Sequence, residues 1–258
     1  MRRRAIEYAA HIRYFVLGTP YLVWSLVLVA LAAGCGAAPA EPSNAALAEP
    51  TPAEPSLAQQ IAAVRAGSET WILVEHTPLT DRDLATLRGL DRLAALCIDH
   101  PDSRITAEGI AALEELPALA HLRIRGGGIG DEALAAIAQL EGLKILNLPR
   151  GEFTAGGLGR LKELPHLEML RFSSPHISDA GLPALAKMPS LTRLHLIDLP
   201  ITDAGLAELA TIDRLQSLYI DGGQISDVAW DELFRQRPKL HVHINQQHHD
   251  RDPNRHPH

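Results

Sequence analysis

LTRLHLIDLPITDAGLAELATIDR, Leu191–Arg214, carries two hydrophobic periods within 24 residues. Leu194 and Leu196 stand two apart, which puts both on one face of a short strand. Leu206, Leu209 and Ile212 stand three apart, which suits a short helix. Leu199 and Ile201 mark the turn between them. The stretch therefore reads strand, turn, helix, turn.

The same offsets return on either side. Leu170, Phe172, Ile177, Leu182, Leu185 and Met188 make one copy, and Leu146, Leu148, Phe153, Leu158, Leu161 and Leu164 another. Leu122, Ile124, Ile129, Leu134, Ile137 and Leu140 make a third, and Ile72, Val74, Leu79, Leu84, Leu87 and Leu90 open the series. Repeats begin at Glu69, Leu93, Leu119, Leu143, Leu167, Leu191, Leu215 and Lys239, a 24-residue step broken once by two extra residues near Pro101 to Arg104. Val242 and Ile244 supply a last strand alone. A unit this small cannot bury its own apolar face, so stacked units must share one core. The expected architecture is an α/β solenoid with about eight short parallel strands on the concave side and helices on the convex side.

Between strand and helix lies a polar signal: Thr80-Asp81, Ser178-Asp179, Thr202-Asp203 and Ser226-Asp227, with Gly130-Asp131 as a variant. These oxygens suit the unpaired amides that open a helix. Gly109, Gly157, Gly181 and Gly205 follow, where a missing side chain lets a helix lie close to the neighbouring coil. Asp83, Ala133 and Ala229 occupy that place elsewhere. Pro117, Pro165, Pro189 and Pro238 close the helices. Ser56 with Gln59 forms a capping box, and Leu57, Ile61 and Val64 share a helical face. Residues 56–68 are expected to hold a capping helix ahead of a repeat domain at 69–245.

The pattern resembles the leucine-rich repeat, in the form with "ITDAGLAELA" seen in ribonuclease-inhibitor-like and cysteine-containing repeats, including bacterial exported proteins. The resemblance covers about three quarters of the chain. It implies a binding scaffold rather than an enzyme, with protein–protein interaction as its use. One departure stands out. The Asn or Cys expected after the strand is replaced by Thr77, Gly127, Gly151, Pro175, Leu199 and Gly223, so the turn backbone must find other partners.

Ahead of the repeats, Met1-Arg2-Arg3-Arg4 precedes an uncharged run from Tyr14 to Cys35, the order of a secretory signal at 1–34. Leu31-Ala32-Ala33-Gly34-Cys35 resembles a bacterial lipobox, which implies lipidation of Cys35. The rival reading is an uncleaved anchor, since the run approaches the roughly 20 residues that span a bilayer. Gly18, Thr19 and Pro20 interrupt it. Either reading keeps the Arg cluster inside and the repeats outside the cytoplasm. Gly36, which is not Asp, resembles the sorting signal for an outer membrane. Residues 35–55, with Pro39, Pro42, Pro50, Pro52 and Pro55, read as an extended spacer.

The chain has 24 Lys and Arg against 31 Asp and Glu, a formal charge of −7. Loss of residues 1–34 removes four Arg and one Glu and leaves −10. That balance excludes a nucleic-acid partner. Lipidation of Cys35 would leave Cys97 without a disulfide partner, so a structural thiol is expected there.

Strand residues between the core positions look outward. The central row reads Leu73, Cys97, Arg123, Asn147, Arg171, His195, Tyr219 and His243. The row before it reads Trp71, Ala95, His121, Ile145, Met169, Arg193, Ser217 and His241. The row after it holds Glu75, Asp99, Arg125, Pro149, Ser173, Ile197, Asp221 and Asn245. At about 4.8 Å per strand the surface runs roughly 34 Å. His121, Arg123, Arg125, Arg150, Met169, Arg171, Arg193, His195, Tyr219 and His243 make a cationic, aromatic middle on an acidic chain. Arg forks match carboxylates, and Tyr and Met give broad apolar contact. The expected partner is another protein or an acidic envelope polymer. Glu75, Asp99, Asp198 and Asp221 are placed to pair with some of those Arg and blunt the patch. A structural envelope protein without a ligand is the alternative. A ubiquitin-ligase type of substrate receptor would need an F-box where this chain has its signal and spacer.

Catalysis needs convergent groups. Ser173 or Ser174, His195 and Asp198 make a trio on paper, but no sharp turn presents either Ser. His241 and His243 share a strand face with His195 two strands away and Asp221 between, yet four ligands with dedicated spacing are not evident. The sequence implies no cofactor, and residues 246–258, with His248, His249, His256 and His258, read as a His-rich disordered tail.

Overall fold

The computed structural model describes residues 55–245 and 247–248. The expected signal at 1–34, Cys35, the expected spacer up to residue 54 and the residues beyond 248 lie outside the described residues. Eight strands pair in chain order, all parallel: β1 (Trp71–Val74), β2 (Ala95–Ile98), β3 (His121–Ile124), β4 (Ile145–Leu148), β5 (Met169–Phe172), β6 (Arg193–Ile197), β7 (Ser217–Asp221) and β8 (His241–Ile244). Leu73 pairs with Cys97 and Cys97 with Arg123, so the register follows the 24-residue step and absorbs the two extra residues in the turn after β2.

One side of the sheet is the core. Leu96, Leu122, Leu146, Leu170, Leu194 and Leu218 are fully buried against Leu84, Ile110, Leu134, Leu158, Leu182 and Leu206 from the helices. Each Leu removed from water in this way contributes about 1.5–3 kcal/mol. The helices are α2 (Asp81–Ala85), α3 (Ala107–Ala111), α4 (Asp131–Ile137), α5 (Ala155–Leu158), α6 (Pro183–Ala186), α7 (Asp203–Ala210) and α8 (Asp227–Gln236). Two units depart from a simple α-helix. A 3₁₀ turn at Gly159–Glu163 continues α5, and another at Asp179–Gly181 precedes α6. Gly156 and Gly157 weaken the α form at α5.

The Thr/Ser-Asp signal works between coils as well as within one. Asp131 accepts from both the amide and the hydroxyl of Thr154 in the next coil, each at 2.7 Å. Asp81 does the same for Thr106, Asp179 for Thr202 and Asp203 for Ser226. The hydroxyls of Thr106, Thr154, Thr202 and Ser226 in turn accept from the first amides of their own helices. These carboxylates explain the glycines: a Cβ on Gly109, Gly157 or Gly205 would meet Oδ1 of Asp81, Asp131 or Asp179 at 2.2 Å. Where the preceding coil carries Ala107 in place of Asp, the next carries Ala133.

In place of an Asn ladder, the turns pair coil to coil. The amides of Arg104, Glu152 and Gln224 donate to the carbonyls of Leu79, Ile129 and Ile201. Buried Ser103 accepts from the Leu79 amide at 3.1 Å.

Both sheet edges are covered. A helix ahead of the repeats, α1 (Leu57–Arg65), starts at Ser56 in a reciprocal capping box with Gln59. From it the Gln60 amide donates to the Leu73 carbonyl at 2.7 Å and accepts from the Leu73 N–H at 2.8 Å, standing in for a neighbouring strand. At the far edge β9 (Gln247–His248) pairs antiparallel with β8. Arg237 donates to the carbonyls of Ala210, Ile212, Asp213 and Leu215, closing the last coil.

Candidate binding face

Strands stack about 4.8 Å apart whereas packed helices need 8–10 Å, so the sheet side is the inner side of the bend. The register aligns the expected rows. Arg123, Asn147, Arg171, His195, Tyr219 and His243 fall on one line across β3 to β8. His121, Ile145, Met169 and Arg193 fall on the line beside it.

Exposure departs from the sequence reading. His195 is 3% and Arg171 8% exposed in the full-length chain, and His121, Arg123, Asn147, Met169 and His243 are buried too. Asn147, Arg171, His195 and Asp221 bond to one another along the sheet. Asn147 Oδ1 accepts from Arg171 Nη1 at 3.4 Å, Arg171 Nε donates to His195 Nδ1 at 3.1 Å, and His195 Nε2 meets Asp221 Oδ2 at 2.8 Å. A carboxylate accepts and Nδ1 is already accepting, so the His195 proton sits on Nε2 and the ring is neutral. Burial lowers its pKa; the bond to Asp221 opposes this and the Arg171 charge adds to it. The contact with Asp221 is therefore a hydrogen bond, not an ion pair. Burial, with help from Arg123, lowers Arg171 to about 10, so it stays charged at neutral pH and balances Asp221 across the imidazole.

Arg123 is spent on a carboxylate. Its Nη2 donates to both oxygens of buried Asp99 at 2.9 and 3.0 Å. Burial and the Arg123 charge push the neighbouring His121 down to about 4. Cys97, on the same row, is a buried thiol whose pKa burial raises well above the ordinary value. The anticipated blunting of the patch is thus real for Arg123 and, through His195, for Arg171.

The remaining cations stay open. The Arg125 side chain is 41% exposed and reaches Asp99 only at 3.5 Å; that of Arg193 is 43% exposed and reaches Glu168 at 3.5 Å. Arg150 is exposed in the turn after β4, outside the aligned rows. Half-buried Tyr219 stacks on His243 with ring centroids 4.5 Å apart and lies 5.5 Å from His195.

The paper trio does not assemble. Ser174 is buried and donates to the Phe153 carbonyl at 2.7 Å, while His195 bonds Arg171 and Asp221 rather than either Ser or Asp198. Sequence reasoning missed the Gln60 clasp on β1 and the lateral bonding of Asn147.

No family model and no curated protein matches the chain. Solved structures do. An internalin (inlF) of Listeria monocytogenes aligns at 18% identity and TM-score 0.53, covering 72% of this chain and 50% of that one. This chain thus matches half the length of that internalin. Internalin C2 of the same species aligns at 22% identity and TM-score 0.47, covering 70% and 72% of the two chains. A leucine-rich repeat protein of Leptospira interrogans aligns at 15% and 0.33, covering 67% and 59%. The fold is the leucine-rich repeat solenoid, with its parallel strands in one open sheet.

Proposed function

We propose that this chain is a membrane-tethered, extracytoplasmic binding protein whose strand face holds an acidic segment of another protein. The observation that carries this reading is the local reversal of charge. Arg125, Arg150 and Arg193 stay open around Tyr219 and a buried Arg-His row, on a chain whose formal charge is −7. Arg and Tyr are the side chains that most often anchor interfaces. Arg123 and Arg171 are balanced by Asp99 and, through His195, by Asp221, so the three open Arg make the contacts.

The test is crosslinking in cells followed by mass spectrometry, with wild type beside a variant carrying Arg125→Glu, Arg150→Glu and Arg193→Glu. A protein captured by wild type and lost from the variant is the expected outcome. Equal capture by both overturns the reading, and a crosslinked species that survives protease identifies an acidic envelope polymer instead. Tethering rests on the resemblance around Cys35. A fatty-acid label present in wild type and absent from Cys35→Ser is expected, and an unlabelled wild type overturns it.

A further inference from the structure

The local charge also reverses on the helix side, away from the strand face. Residues 131–142 carry Asp131, Glu132 and Glu141 with no Lys or Arg, and residues 203–213 carry Asp203, Glu208 and Asp213 with none. The two coils between them differ. Arg160 and Lys162, on the 3₁₀ turn that continues α5, and Lys187, at the C-terminal cap of α6, line one cavity of about 400 Å³. All three are exposed, no carboxylate lines the cavity with them, and among the described residues none of them makes an ion pair.

Between the cations lie short side chains, Gly156 and Gly159 among them. A Cβ on Gly159 would meet nothing within 4 Å, and one on Gly156 only Thr154 Oγ1 at 3.4 Å and Asp131 Oδ2 at 3.9 Å, both ordinary contacts. Neither residue has a positive φ, and each weakens a helix relative to Ala. Gly157 is a glycine because Asp131 presses on it; Gly156 and Gly159 have no such reason. What they preserve is the open volume beside the cations.

We infer that this cavity binds a compact anion of the phosphomonoester class, with Arg160, Lys162 and Lys187 as its donors. Such a group carries close to two negative charges at neutral pH and offers several acceptor oxygens, which cationic N–H donors match. The volume is that of a small-ligand site. The acidic coils on either side limit the length of the ligand, because helices pack about 8–10 Å apart and charges are felt over about 8 Å at physiological salt. A long polyanion laid along the helix side would meet Glu132 and Glu141 on one flank and Glu208 on the other. A compact one stays within the two coils.

The test is calorimetric titration of the full chain with phenyl phosphate and, separately, with a short-chain phosphatidic acid, inorganic phosphate being added as competitor. Wild type should bind at one site per chain and yield to inorganic phosphate. Binding of phenyl phosphate identifies a soluble ligand, and binding of the phosphatidic acid alone a lipid head group. Arg160→Gln with Lys187→Gln should weaken binding at least about tenfold. Gly159→Leu, which fills the cavity, should weaken it as well yet melt no lower than wild type, a combination that a merely structural glycine would not give. The strand-face variant with Arg125→Glu, Arg150→Glu and Arg193→Glu should bind as wild type does. No binding of either probe, unchanged affinity in the Arg160 and Lys187 variant or in Gly159→Leu, or an equal loss in the strand-face variant overturns the site.

Discussion

Gly157→Ala and Asp131→Ala, made singly and together, probe the bond that joins one coil to the next. Alone, Gly157→Ala puts a methyl 2.2 Å from Asp131 Oδ1 and 2.9 Å from its Cα. Those are distances at which something must shift, and overpacking of that kind costs about 1–3 kcal/mol. Helix propensity acts in the opposite sense, favouring Ala over Gly by about 1 kcal/mol, so the contact is the larger effect. Asp131→Ala alone loses two bonds to Thr154 and leaves that amide to water, a cost of about 1–2 kcal/mol for an exposed capping carboxylate. In the double variant the carboxylate is gone and only the backbone contact remains, as where Ala133 follows Ala107. The two costs should therefore fail to add, with a coupling of about 2 kcal/mol. Urea unfolding of all four proteins measures it. Simple additivity would refute the claim that Gly157 exists to receive Asp131. Ala229 follows Asp203 without a glycine because the Ser226 hydroxyl there accepts from the third helical amide rather than the second, so α8 enters differently.

Gln60→Ala should cost about 1 kcal/mol and speed hydrogen exchange at the Leu73 amide, which it holds at the outer edge of β1; unchanged exchange would show that the clasp is idle. His121 titrates near 4 in the folded chain, below its ordinary value of about 6.5. The unfolded chain therefore binds the proton first, so stability is full above pH 6.5 and falls by up to about 3 kcal/mol as pH drops towards 4. The slope should flatten in His121→Gln, and an equal slope would assign it elsewhere. Nitrogen NMR of His195 should show a neutral ring protonated at Nε2 at pH 7; a proton on Nδ1 would break the proposed row of bonds.

The rows were legible because a strand alternates faces with a period of two, so one correctly placed Leu194 fixes where His195 points. The Asp131 and Gly157 coupling was legible as co-occurrence, Asp81, Asp131 and Asp179 each preceding a glycine one coil later, although only the distances give its cause. Burial was not legible. The period of two sets where Arg171 points but not that Asn147 and His195, one strand away on either side, bond it. The Gln60 clasp was hidden for a similar reason, since a capping helix announces its apolar face but not the edge atom that its polar face will meet.

That lateral bonding changes what the strand face is able to do. An Arg that stands alone must be ordered when a partner arrives, whereas Arg123 and Arg171 are already held, at a desolvation cost that Asp99 and the His195-Asp221 pair offset. Removing Asp99 would leave a buried cation without its partner, which costs more than the pair itself contributes. The paired charges thus supply rigidity at the centre of the sheet. On the proposed reading recognition falls to Arg125, Arg150 and Arg193, which keep access to water. Partner choice should therefore follow substitutions among these three, whereas changes in the buried row should first be felt as stability.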